Sequence, residues 1–125
     1  MAKSLIYVGA VLPLLWGISH LFPTKSIVKG FGDISEDSKN IITMEWINEG
    51  IALIFVGVLV GVVTYIDPGN TVSLAIYITV SCFLLVLAGV SLFTGFRINF
   101  LAFKLCPVIF TSSAILILVG LMTTG

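Results

Sequence analysis

Residues 41–65 read IITMEWINEGIALIFVGVLVGVVTY, an apolar run whose only charged side chains are Glu45 and Glu49. A bilayer core about 30 Å thick takes roughly 20 apolar residues per crossing helix, and this stretch is long enough to cross with some tilt. No water is present at that depth to satisfy open backbone groups, so a segment of this length spans as a helix. Three further segments meet the same requirement, residues 4–22, 71–96 and 101–122. None shows the short alternating pattern of a membrane barrel strand. The sequence therefore predicts an all-α fold, an integral membrane four-helix bundle. An even number of crossings puts both termini on the same side.

Composition agrees with this reading. Of 125 residues, 58% are hydrophobic and 10% charged, and mean hydropathy is +1.20, whereas soluble domains average about 25% charged residues. So few charges would not cover the surface of a soluble fold. Six basic and six acidic residues give zero net charge with no basic tract. Neither a nucleic-acid footprint nor a polybasic lipid-surface motif is expected. Cys82 and Cys106 fall at different depths in apolar runs, which argues against a disulfide. Residues 1–125 read as one transmembrane domain, without an internal repeat or a low-complexity linker.

The connections punctuate the spans. Residues 23–40 form the only long one, and its run Asp33-Ile34-Ser35-Glu36-Asp37-Ser38 has the acidic and serine residues that open a helix. The second helix is thus expected to begin before it enters lipid. Asp67-Pro68-Gly69-Asn70 is a turn signal that makes the second and third helices a tight hairpin. The first span has no small-x-small cleavage signature and reads as retained. Lys25, Lys29 and Lys39 lie in the first connection and Arg97 and Lys104 at the third, against Lys3 at the other end. The positive-inside rule places connections one and three in the cytoplasm and both termini outside, in the inner (plasma) membrane.

Polar residues gather at one end of the spans. His20 ends the first helix, Glu45, Asn48 and Glu49 begin the second, Arg97 and Asn99 follow the third, and Lys104 opens the fourth. Counting ~1.5 Å per residue from Ile41, Glu45 lies about 6 Å and Glu49 about 12 Å into the apolar stretch. A carboxyl group at that depth is costly and usually faces the bundle interior with a partner. Glu45, Asn48 and Glu49 share one helical stripe, and two carboxylates on neighbouring turns favour protonation of one, or a cation between them. The expected ligand-binding cluster is His20, Glu45, Asn48, Glu49 and Arg97, flanked by Trp16 and Trp46. For Glu45, Arg97, Lys104 and Trp46 the ordinary alternative is an interfacial anchor or a snorkelling charge.

Helix packing leaves its own signals. Gly9, Pro13, Trp16, Gly17 and His20 form one stripe of the first helix that turns into the bundle, with Pro13 removing one backbone hydrogen bond. Gly57 and Gly61 form a Gly-x-x-x-Gly pair, with Gly50 a heptad earlier, on a face away from the carboxylates. That is a packing surface within the bundle or between copies in a homo-oligomer. No phosphate loop, nucleophile elbow or haem motif occurs, a single histidine lacks the Glu-x-x-His pairing of di-iron bundles, and no metal or cofactor is expected.

The run Gly17-Ile18-Ser19-His20-Leu21-Phe22, a glycine-containing loop, then Glu49-Gly50 and Gly57, resembles the DoxX-like family of small bacterial four-helix membrane proteins. The likeness covers the first two helices. His20 stands where that family closes its first helix with Gly-x-x-Lys, the Glu-to-Gly spacing differs, and Lys3 is the counterpart of an arginine. The resemblance implies a membrane subunit, linked in some members to quinone or sulfur redox complexes. Together these features predict a small membrane protein that binds an amphipathic or lipid-like molecule, or serves as an accessory subunit, through a polar cluster in one leaflet. The alternatives are an intramembrane enzyme using His and Glu as acid and base on a lipid or quinone, and an oligomeric ion or solute transporter.

Overall fold

The structure, a computed structural model, describes residues 2–95 and 101–124. Its elements in chain order are α1 (Ala2–Leu21), a short α2 (Thr24–Lys29), α3 (Glu36–Ile66), α4 (Thr71–Gly95) and α5 (Leu101–Thr124). Four of these are long and apolar enough to cross a membrane. Among the described residues there is no strand.

The helix boundaries follow local chemistry. Ser35 caps α3 by accepting a hydrogen bond from the Ser38 amide at 3.1 Å, and Glu36 and Asp37 occupy the first turn, where the helix dipole favours negative charge. Asp67 Oδ1 accepts from the Gly69 amide at 3.0 Å and Asn70 Oδ1 from the Val72 amide at 2.8 Å, so the turn ends one helix and starts the next. Residues 23–40 are not all loop. Pro23 precedes α2, whose first turn leaves amides unpaired in any case, and Gly32, with φ +77°, supplies the left-handed residue that reverses the chain toward α3.

The long helices pack in the order α3, α1, α5, α4, so α1 lies between α3 and α5. Lipid tails are as apolar as leucine, so helices in a bilayer associate through close packing rather than through escape from water. Small residues supply that packing. A Cβ on Gly17 would stand 2.6 Å from the Gly50 carbonyl oxygen, and one on Gly57 would stand 2.6 Å from that of Ala10. Ala10 and Gly17 on α1 thus meet Gly57 and Gly50 on α3, both pairs spaced by a heptad. Toward α5, a Cβ on Gly9 would reach Ile117 Cγ1 at 2.8 Å, and one on Gly120 would come 3.0 Å from the Ala2 carbonyl oxygen. Ala2 and Gly120 therefore share one end of the bundle, and His20 lies at the other.

The structure departs from the sequence expectation at two places. First, α3 and α4 are joined by a short turn but are not a closely packed hairpin, because α4 lies mainly against α5. The hydrogen bonds joining α3 to α4 are close to the turn, through Thr64, Tyr77 and Ser73. Second, the two glycines of the Gly-x-x-x-Gly pair do different things. Gly57 is closed against α1, whereas Gly61 has no neighbour within 4 Å of its Cβ position among the described residues and lies in an apolar groove with Tyr7, Leu14 and Tyr65. Pro13 is buried within α1, which continues as a helix through it. The core comprises Ile6, Leu53, Val60, Tyr77, Leu84, Phe110 and Ile117, all within 1% of full burial.

Candidate functional site

His20 occupies the last turn of α1 and is only 7% exposed. Its ring stacks on Trp46 of α3, with centroids 3.7 Å apart and planes 15° apart. The Trp46 indole N–H donates to the His20 carbonyl, one of the carbonyls that a helix end leaves without an intrahelical partner. A single tryptophan thus caps the helix and holds the imidazole flat.

Across the ring, His20 Nε2 lies 3.4 Å from Glu49 Oε2, with side-chain exposures of 6% and 43%. The contact becomes an ion pair when the ring is protonated. It lacks hydrogen-bond geometry, so the buried Nε2 has no hydrogen-bond partner among the described residues. The indole N–H of Trp16, one turn earlier on α1, is likewise buried. Cys106 of α5 lies beside that indole.

The remaining expected members separate. The acidic stripe of α3 exists, but it does not face the interior. The interior face is set by Trp46, Gly50, Leu53 and Gly57, because the glycines must sit against α1. At 3.6 residues per turn, Glu49 then falls on the flank, Glu45 farther round, and Asn48 on the opposite side. Glu49 alone among these three reaches His20. Glu45 and Asn48 are exposed, and no ion pair engages Glu45 among the described residues. Lys104 is half-buried. Arg97 and Asn99 lie outside the described residues. Cys106 was legible only by depth: it stands five residues after the start of α5, as Trp16 stands five before the end of α1.

The resulting arrangement is a buried imidazole backed by an aromatic ring, with a carboxylate at its rim that is open to the surroundings of the bundle. The carboxylate is the exposed part of the pair, and the imidazole Nε2 is buried behind it. A buried polar nitrogen left without a hydrogen bond, as His20 Nε2 is among the described residues, costs about 1–3 kcal/mol. Among the described residues, no group of three or more His, Cys, Asp or Glu side chains is placed to hold a metal ion. Cys82 is exposed and Cys106 buried, and they form no disulfide. Comparison with family models, curated proteins and solved structures finds no match. The fold and site define a class, a small helical bundle of membrane-spanning dimensions with a histidine–carboxylate pair at one end.

Proposed function

We propose that the chain is a multi-pass protein of the inner (plasma) membrane that binds a small amphipathic or lipid-like molecule, with the polar head on His20 and Glu49 and the tail beside Trp16. Connections one and three face the cytoplasm, as the distribution of lysines favours, and both termini lie outside. The observation that carries the reading is the buried Nε2, 3.4 Å from a carboxylate and without a hydrogen-bond partner among the described residues. A ligand hydroxyl or carbonyl would satisfy that atom, and Glu49, reachable from outside the bundle, gives such a ligand a second contact. The DoxX-like resemblance in Gly17 to Phe22 points the same way, toward a membrane subunit.

The test is native mass spectrometry of protein extracted with its native lipid. Wild type retains a bound small molecule, and Glu49→Gln loses it while keeping the helical circular dichroism spectrum. Equal retention by both would contradict the assignment. A second reading, acid–base chemistry on a lipid or quinone, is favoured by the reach of Glu49 to the imidazole, since proton transfer needs close approach. It predicts that Glu49→Gln keeps the molecule but no longer converts it. Transport by an oligomer has less support, because Thr64, Tyr77 and Ser113 toward the opposite end are engaged in hydrogen bonds within the bundle. Any homo-oligomer contact on the glycine face uses Gly61 rather than Gly57.

A further inference from the structure

The six basic residues are scattered along the sequence with no two adjacent, yet the fold brings three of them to one depression. Lys25 and Lys29 stand one turn apart on α2, Lys39 lies in the first turns of α3, and with Thr24, Gly32 and Thr43 they line a cavity of about 260 Å³. Among the described residues, no acidic side chain lines it. Glu36 approaches Lys39 Nζ to 3.4 Å from outside, its side chain 83% exposed against 40% for the lysine, and an ion pair so open to solvent is a weak competitor. Both threonine hydroxyls donate to backbone carbonyls, Thr24 to Leu21 and Thr43 to Lys39. The donors the cavity presents are therefore ammonium groups, which bind phosphate as point charges.

Two neighbours fix its level. Phe22 is 84% and Phe31 55% exposed, one on each side of α2. Uncovered aromatic rings beside a short helix bearing lysines are the pattern of a segment resting at the membrane interface. We propose that Lys25, Lys29 and Lys39 form a binding site for a phosphate group, carried by the headgroup of an anionic phospholipid. On α3, Lys39, Thr43 and Trp46 follow one another on one face, so the headgroup sits about 10 Å of helix rise from the His20–Trp46 stack. The inference rests on membrane insertion and not on the identity of the molecule at His20.

The experiment uses the full chain. Flotation with phosphatidylcholine vesicles first checks insertion; a protein that stays out of the floated fraction overturns the membrane reading and this site with it. Native mass spectrometry from nanodiscs of mixed phosphatidylglycerol and phosphatidylcholine then reads lipid preference. Wild type retains phosphatidylglycerol over phosphatidylcholine by roughly tenfold, the scale expected for a few lysines near a charged headgroup. Lys25→Gln with Lys29→Gln removes most of that preference, Lys25→Arg with Lys29→Arg keeps it, and Lys3→Gln at the far end leaves it unchanged. Equal retention of the two lipids by wild type, or a preference surviving in the double glutamine variant, overturns the site. Inorganic phosphate in millimolar excess separates the sources: persistence of the phosphatidylglycerol adduct supports the headgroup, and its replacement by bound phosphate overturns that assignment in favour of a soluble anion.

Discussion

The two ends of the bundle treat buried polar atoms in opposite ways. Near the α3–α4 turn, Thr64 donates to the Val60 carbonyl at 2.6 Å, which leaves the wholly buried Tyr77 hydroxyl to donate to Thr64 at 2.7 Å. Ser73 donates to the Asp67 carbonyl at 2.6 Å. Every one of these side-chain hydroxyls has a partner inside the chain. At the other end the buried nitrogens meet looser contacts: Trp16 Nε1 lies beside the Cys106 thiol, and His20 Nε2 stands 3.4 Å from Glu49 Oε2 without hydrogen-bond geometry. The first end is fully accounted for by folding. The second leaves the buried imidazole nitrogen short of a hydrogen bond, the observation on which the proposed ligand site rests.

The largest effect tests what holds the second end in place. Gly17→Leu drives a side chain into the Gly50 backbone, which stands 2.6 Å from the Cβ position and cannot step aside without separating α1 from α3. A loss of about 3 kcal/mol is expected in detergent unfolding titrations, whereas Gly61→Leu, with open space at its Cβ position, costs under about 0.5 kcal/mol. Equal losses would mean that the glycine face is not the α1–α3 seam. At the satisfied end, Thr64→Val strands the Tyr77 hydroxyl and costs about 2 kcal/mol, while Tyr77→Phe removes donor and need together and costs about 1 kcal/mol. The reverse order would break the hydrogen-bond assignment.

Ser81, in the middle of α4, is a third case: its hydroxyl is buried and unpartnered among the described residues. Ser81→Ala is expected to raise stability by about 1 kcal/mol, and a loss of that size would mean the hydroxyl has a role of its own. The smallest stability effect belongs to Glu49→Gln. A half-exposed side chain at the rim changes unfolding by less than about 0.5 kcal/mol, while small-molecule retention falls to background. Destabilisation without loss of retention would turn Glu49 into a fold residue and erase the contrast between the ends.

Much of this was legible from residues alone. Length and apolarity located the four spans, Ser35 and Glu36 placed the start of α3, and Asp67 to Asn70 placed the turn. The site was legible only in part. Helical periodicity fixes how Glu45, Asn48 and Glu49 stand relative to one another, but it leaves the rotation of the whole helix open. That rotation is decided by Gly50 and Gly57 seating on Gly17 and Ala10, which turns Asn48 away and leaves Glu49 at the rim. The same glycines looked equally suited to an intersubunit contact, since a small residue accepts a neighbour from either source. The lysine cavity was hidden for a different reason: Lys25 and Lys29 share a face only once α2 is helical, and Gly32 brings Lys39 to them through a backbone reversal that no charge count reveals.

With one histidine in the chain, the imidazole nitrogen NMR spectrum of selectively labelled protein reports on His20 alone. Compared in native lipid extract and after exchange into pure detergent, the Nε2 resonance of wild type should shift as its hydrogen-bond partner from the bound molecule is removed, and that of Glu49→Gln should be the same in both environments. A wild-type resonance identical in both environments would contradict ligand binding at the imidazole.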